Sequence, residues 1–486
     1  MQTPETRHDQ QPGAETGRFP LAPAQRPFWF AEQARPGTPA NNISVRWELR
    51  GPIRAANIEA AFRAVIARHE ILRTRFVEED GTAWQEVLDD APFRLAQFDI
   101  RNLDPAAQET RVARIEAELG AEGFDLSTPC PMRVSLVQLA PDRAALLIVV
   151  HHAVFDGISI RVLGAEIGAC LAAMAEGGRW QPEPLDLQYG DYTLWCAACQ
   201  ESAGYQEDIA YWRDRLRDAP YFELPPDRPR GTIRRTEAAR ISRPLAPDFE
   251  DRLEAAARRA GVSGYALGAA ATLAALQRLT GDTDILFGTP VAGRPESELE
   301  RLIGVFINTV VLRLRAEPGT MLSELVAQAG ETVTSALAHQ ALPFDEVLRL
   351  AGQRRDPART PLISITFGLQ RVFLQEGRHG PFEMISVPSR DPGVIYDLDI
   401  QILGRNAGWS LVINYNAAVY ESATAETLAD AVTAALDAIL SGEERSVAEL
   451  PVAERGADPA PLPDAAPADA PAEDLRAEIA PIWAEI

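Results

Sequence analysis

Two adjacent histidines, His151 and His152, stand five and four residues ahead of Asp156, which is followed by Gly157; the chain has only six histidines in 486 residues. A neutral imidazole can take a proton near neutral pH, so either ring is a candidate general base. A carboxylate in a tight turn closed by glycine can fold back beneath such a base and fix the loop. If a helix starts there, its free N–H groups and positive dipole end offer a place for a developing oxyanion. Base, orienting carboxylate and oxyanion site together suit acyl transfer. A metal site is not expected, because no further His or Cys lies close enough in sequence to complete one. A serine hydrolase fits poorly, since the chain has no G-x-S-x-G element and Ser263 in Gly261-Val262-Ser263-Gly264 is not one. The plain alternative is a pair of buried polar residues before an ordinary Asp-Gly turn.

The elements around the pair decide how it is held. Ala144 to Val150 is a continuous apolar run and reads as a buried strand ending at the histidines. Neighbouring side chains on a strand point oppositely, so one imidazole can face a cavity while the other packs inward. After Gly157, Ile160, Leu163, Ile167, Leu171 and Met174 recur at helical spacing, with Ser159 as the expected N-cap. Upstream, Ile58, Phe62, Val65 and Ile66 predict a helix. The run ending at Val77 and the run Trp84 to Leu88 predict a hairpin about Asp80-Gly81. Residues 176–188 read as a linker. Beyond it the pattern predicts a second α/β region, with an Ala-rich helix over Asp251 to Leu279 and strands at Asp284 to Thr289, Thr309 to Leu314, Leu362 to Leu369, Asp397 to Ile402 and Ser410 to Asn414. A last helix follows over Ala425 to Leu440. The expected organisation is a disordered tail over 1–18, an N-terminal lobe over 19–180, a C-terminal lobe over 181–455, a Pro/Ala-rich linker over 456–474 and the start of a further helix over 475–486.

Composition narrows the function classes. The hydrophobic fraction is 46% and the charged fraction 24%, as in globular proteins, and no stretch approaches the ~20 unbroken apolar residues of a membrane helix. No secretory signal is read at the start, so a cytoplasmic location and no membrane partner are expected. A net charge of −23 repels phosphate backbones and makes nucleic acid a poor partner. An acidic protein partner would need local basic patches, for which Arg213, Arg215 and Arg217 or Arg354 and Arg355 are candidates. Cys196 and Cys199 form a CxxC pair that could suit redox or zinc chemistry. Without a second Cys/His pair nearby they read instead as small buried helix residues.

Longer matches then place the segment. His151 to Gly157 fits the HHxxxDG signature of the condensation-domain superfamily. Leu21-Ala22-Pro23-Ala24-Gln25 with Phe28-Trp29-Phe30 resembles that family's opening motif, and Arg68-His69-Glu70 through Leu72-Arg73-Thr74 and Phe76 its second. Tyr189-Gly190-Asp191-Tyr192 with Trp195, Tyr211-Trp212 and Leu224-Pro225-Pro226-Asp227-Arg228-Pro229 resemble the block after the histidines. Ile303 to Thr309, His339 to Phe344 and Arg355-Asp356-Pro357 through Pro361-Leu362 resemble motifs of the second lobe. The motifs run in order over residues 19–450, so the chain is identified as resembling a nonribosomal peptide synthetase condensation domain.

That resemblance implies an α/β fold of two chloramphenicol acetyltransferase-like lobes in a V-shaped pseudo-dimer with a central tunnel. It implies condensation of a carrier-bound acyl or peptidyl thioester with a carrier-bound amine. The partners would be donor and acceptor carrier proteins, which bring their own phosphopantetheine arms; no bound cofactor is expected, and the chain would be monomeric or part of a larger synthetase. By position, His152 would be the catalytic histidine, with Gly157 N–H at the oxyanion. His151 and Asp156 would support the site, and Arg73 would be the arginine pairing with Asp156. Ile158, Tyr192 and Asn308 are candidates for the tunnel wall. Ile158 stands where many peptide-forming members carry Trp, which leaves donor chirality and acceptor type open. Ester formation, epimerisation and carrier recruitment without catalysis are the alternatives on the same fold. The final stripe, Leu475 to Ile486, resembles the start of a carrier-protein helix.

Overall fold

The apolar run before the histidines forms the strand Arg143–His151, central in a six-stranded sheet. Its alternate residues enter two different cores: Ala144, Leu146, Ile148 and Val150 on one face, Ala145, Leu147 and Val149 on the other. Burial on both faces explains why the run is continuous rather than alternating. The computed structural model describes residues 17–352, 356–371, 377–389 and 393–451. Residues 1–16 of the tail expected over 1–18, the linker from 456 and the helix from 475 lie outside them, while Arg18, expected to be disordered, opens a strand paired with Glu86.

The first sheet runs, in spatial order, Gly377–His379, Phe382–Val387, Asn42–Arg50, Arg143–His151, Met132–Ala140 and Leu95–Asp99. Helices Ala55–Arg68 and Gly157–Ala175 cover one face and Pro105–Ala121 the other. The second sheet runs Asn308–Arg315, Asp284–Val291, Ile365–Arg371, Leu398–Arg405, Gly408–Asn416 and Ala238–Pro244. Helices Gly264–Thr280, Leu322–Ala338 and Ser422–Ser441 share its core. A three-stranded sheet joins Arg18–Pro20 to the expected hairpin, whose strands are Thr74–Glu79 and Thr82–Val87. Helix Gly157–Ala175 has the length and apolarity of a membrane span, but its buried residues pack on Ala55–Arg68 and the sheet as a core helix.

Two local expectations are corrected. The helix read over Asp251 to Leu279 is two helices, Phe249–Ala260 and Gly264–Thr280. The first ends at Gly261 with φ of 67°, a left-handed conformation suited to glycine, and Ser263 caps the second by accepting the Ala266 N–H at 3.2 Å. Ser159 is not the N-cap of Gly157–Ala175; Asp156 is, accepting the Ser159 N–H at 2.8 Å.

The two halves interlock. Strands Gly377–His379 and Phe382–Val387 come from late sequence yet complete the first sheet, where Phe382–Val387 pairs antiparallel with Asn42–Arg50. Packing also crosses the boundary read near residue 180. Tyr189 and Tyr192 of helix Tyr189–Cys199 are buried in the first core, and so are Leu299, Leu302, Ile303, Val305 and Phe306 from beyond the second sheet's strand Asp284–Val291. The second core gathers residues from Trp212 onward.

Candidate active site

The strand ends at His151, opposite Asn42, and the chain turns through a short 3₁₀ helix, His152–Val154, into the helix capped by Asp156. His151 points inward and is fully buried. Its Nδ1 accepts the Ala153 N–H at 3.1 Å, which puts the ring proton on Nε2, 4.0 Å from Glu32 Oε2. Burial, reinforced by the neighbouring His152, pushes the His151 pKa down to about 3, so the ring is a neutral structural group. Phe124 meets it edge-on at 6.2 Å between centroids.

His152 takes the opposite direction. Its ring stacks on Phe28 with centroids 4.4 Å apart and planes at 12°, and it lines a large cavity. Burial lowers its pKa, with the Asp156 charge acting against the shift. The imidazole is therefore neutral at neutral pH and free to accept a proton. Gly157, first residue of its helix, is also on the cavity wall, where the helix start presents N–H groups without intrahelical acceptors.

Asp156 is almost completely buried and anchors the loop to the second half of the chain. Its Oδ1 accepts from Ser159 N–H and hydroxyl, both at 2.8 Å, and from Arg294 Nη2 at 3.0 Å. Its Oδ2 accepts from Arg294 Nη2 at 3.2 Å and the Phe306 N–H at 3.1 Å. Arg294 in turn donates through Nη1 to the carbonyls of Leu299 and Leu302 and lies 3.8 Å above the Phe306 ring. The expectation that Arg73 pairs with Asp156 is corrected here. Arg73 bonds Glu70 at 3.2 Å and the Leu88 carbonyl, both within its own hairpin region, and the guanidinium on Asp156 is Arg294.

Residues 303–306 are held by several further groups. Ser159 Oγ accepts the Gly304 N–H at 3.0 Å, Tyr189 donates to the Val305 carbonyl at 2.7 Å, and His69 Nδ1 accepts the Ile303 N–H at 3.3 Å. Glu166, 2.8 Å from His69 Nε2, fixes that tautomer and also pairs with Arg68. Gly304 is required by close approach: a Cβ there would lie 2.3 Å from the Tyr189 ring.

The cavity occupies about 2930 Å³ and draws its wall from both halves, with Phe28, His152 and Tyr192 from one and Asn308, His339 and Tyr396 from the other. Of the expected wall residues, Tyr192 and Asn308 are on it and Ile158 is not. Ile158 lies one residue, about 100° of helical rotation, beyond Gly157. Asn308 is committed to structure: Nδ2 donates to the Gln340 and Leu342 carbonyls at 2.8 Å each, and Oδ1 accepts the Phe344 N–H at 3.0 Å.

The remaining candidates resolve simply. Arg215 turns inward to the Arg313 carbonyl and to Thr332 Oγ1 at 3.1 Å, and Arg217 pairs with Asp214 at 2.8 Å, so the three arginines do not form one patch. Arg354 and Arg355 lie outside the described residues. Cys196 and Cys199, expected to be buried, are half-buried on the cavity wall, with thiol pKa values raised by burial, that of Cys196 to about 11. Among the described residues no cluster of His, Cys, Asp or Glu could hold a metal.

The chain resembles known proteins over most of its length. The family model described as Condensation domain matches residues 15–457. Phosphinothricin tripeptide synthetase PhsC of Streptomyces viridochromogenes is 32% identical over 448 residues, covering 91% of this chain and 41% of that protein. Phosphinothricin tripeptide synthetase PhsB of the same organism is 32% identical over 451 residues, 92% of this chain and 38% of that one. The chain thus spans well under half the length of these curated relatives. The crystal structure of the X-domain from teicoplanin biosynthesis superposes with a TM-score of 0.81 at 26% identity, covering 92% of this chain and 99% of that one. The first condensation domain of the calcium-dependent antibiotic synthetase, solved with a substrate analogue, has a TM-score of 0.78 at 22% identity over 90% of this chain and 99% of that one, a likeness of fold.

Proposed function

Because the chain belongs to the condensation-domain family, an acyltransferase family whose members form amide bonds between carrier-bound substrates, we propose that it joins a carrier-bound acyl or peptidyl thioester to a carrier-bound amine, with His152 as its catalytic histidine. The amine nitrogen attacks the thioester carbonyl, the new C–N bond forms, and the C–S bond breaks to release the donor arm's thiol. The ammonium proton produced in the attack passes to His152, whose neutral ring can return it to the departing sulfur. Both arms are phosphopantetheine groups of partner carrier proteins, and the chain needs no cofactor of its own for this step.

A neutral amine is already nucleophilic, so the base contribution is modest, about 10²-fold. Holding two tethered reactants in attack geometry contributes more. Gly157 N–H supports the developing oxyanion. Asp156 is a positioning residue: with Arg294 it ties the histidine loop to the second half of the chain, so the wall carrying His152 and the wall facing it keep one spacing.

The observation that carries this reading is a neutral, Phe28-stacked imidazole on the wall of a cavity built by both halves. The test is acyl transfer between two loaded carriers, followed by intact-protein mass spectrometry. Condensation predicts that the acceptor carrier gains the donor's acyl mass with an amine acceptor. Gain only with a hydroxyl acceptor would make the domain ester-forming, and inversion of a single carrier-bound residue would make it an epimerase. A second reading, recruitment without turnover, is favoured by the likeness to an X-domain solved in complex with OxyB, with a TM-score of 0.80 at 27% identity; it predicts carrier binding and no transfer.

A further inference from the structure

The face of the second sheet that looks into the cavity carries Thr366, Asp399, Gln401 and Asn414 on three adjacent strands. Asp399 is the only carboxylate in that row. Its Oδ1 accepts from Thr366 Oγ1 at 2.8 Å and Gln401 Nε2 at 2.7 Å, and its Oδ2 accepts from Asn414 Nδ2 at 3.1 Å. Gln401 lies across the strand partner Gly368, where a Cβ would sit 2.3 Å from Gln401 Oε1, so the sheet omits a side chain to seat this amide. Three neutral donors fix the carboxylate without neutralising it. Among the described residues no Arg or His nitrogen comes within the 4.0 Å of an ion pair with Asp399. Arg240, farther along the sheet, directs Nε to Asn414 Oδ1 at 2.6 Å and Nη1 to the Ser389 carbonyl at 2.9 Å. Gln401 Oε1 is a second acceptor, buried and without a donor among the described residues.

A half-buried oriented carboxylate on a cavity wall is tolerated while water solvates it. When a tethered substrate enters and displaces that water, an apolar side chain would strand the charge, whereas a cationic one would pair with it. We propose that Asp399 is a specificity-determining residue, the counter-ion for an ammonium or guanidinium group borne on the side chain of one of the two carrier-tethered substrates. The proposal rests on the condensation reading for its substrate and on the sheet geometry for its selectivity. Asp399 takes no part in the bond-forming step.

Ornithine and norleucine have side chains of the same length and differ in the terminal charge, so they isolate this interaction. Donor and acceptor carriers are charged with one or the other in all combinations, and initial transfer rates are read by intact-protein mass spectrometry. The expected result is a preference of about tenfold or more for ornithyl over norleucyl on one arm, the arm showing it identifying the source of the cation. Asp399→Asn should bring that ratio to about one, by slowing ornithyl transfer and, because no charge is then stranded, by raising norleucyl transfer rather than lowering it. Equal rates in the unaltered protein, a norleucyl preference on both arms, or a preference surviving Asp399→Asn would each overturn the proposal. The preference of the unaltered protein needs no variant, so misfolding of Asp399→Asn does not protect the idea. If no pair transfers, the condensation reading fails, and Asp399 is judged by calorimetry with ornithyl and norleucyl N-acetylcysteamine thioesters. About tenfold tighter ornithyl binding supports it, and equal binding refutes it.

Discussion

Replacing Arg294 by Ala isolates the lock between the two halves. Asp156 is 2% exposed and the Arg294 side chain 1%, so the variant leaves a buried carboxylate without its cation. Breaking such a pair from one side costs about 3–5 kcal/mol. Asp156 keeps three donors, the Ser159 N–H and hydroxyl and the Phe306 N–H, which places its share at the low end of that range. The Leu299 and Leu302 carbonyls lose the Arg294 donor as well, at about 1 kcal/mol each, and the stack on Phe306 is lost. The expected destabilisation is about 5–6 kcal/mol. Arg73→Ala, with its side chain 17% exposed and paired with Glu70 at 3.2 Å, should cost only about 1 kcal/mol. Urea titration followed by tryptophan fluorescence measures both on one scale. If Arg294→Ala costs no more than Arg73→Ala, the cross-half pair does not hold the site and the positioning argument for Asp156 fails.

Gly304→Ala drives a methyl toward the fully buried Tyr189 ring, so a loss of about 1–3 kcal/mol and a lower melting temperature are expected; an unchanged melt would mean that 303–306 are not clamped as described. His151 should give the stability curve an acid limb. With a folded pKa of about 3 against an ordinary value of 6.5, the unfolded chain binds the proton first as pH falls. Stability should therefore drop by about 1.4 kcal/mol per pH unit from this group below 6.5, with no contribution above it. His151→Gln should flatten that limb by the same slope in urea titrations between about pH 6 and pH 4, and an unchanged slope would refute the assignment. Phe28→Ala removes a stack of about 0.5–1.5 kcal/mol from His152 and should slow transfer about three- to tenfold with a small change in melting temperature; an unaltered rate would show that the stack does not orient the ring.

Much of the fold could be read where burial leaves a local signature. The doubly buried strand Arg143–His151 shows as an unbroken apolar run, and helix Gly157–Ala175 shows its period. Adjacency on a strand end correctly set the two histidines in opposite directions. The break at Gly261 was hidden because an Ala-rich apolar stripe continues on both sides of it. Long-range pairing left no local trace: nothing in Phe382–Val387 says that it pairs with Asn42–Arg50 rather than with its neighbours in sequence. The same holds for Arg294. Its sequence surroundings, Gly293 and Pro295, mark a turn and give no sign of the Asp156 carboxylate, whereas Arg73 stood in a motif that drew attention to it. Ser159 was read as a cap because serine favours that position; the stronger acceptor immediately before Gly157, Asp156, took it, and Ser159 was left to bridge Asp156 and Gly304. Phe28 stands in an aromatic run, Phe28-Trp29-Phe30, and nothing local shows which of its rings stacks on His152.

The central claim, that His152 acts on substrates brought to the cavity by carriers, is tested most directly by the single-turnover rate of acyl transfer between loaded carriers for the unaltered protein and His152→Ala. The account predicts transfer by the unaltered protein and a rate about 10²-fold lower in the variant, with stability lowered by no more than the about 0.5–1.5 kcal/mol of the Phe28 stack. Equal rates in the two proteins would contradict it.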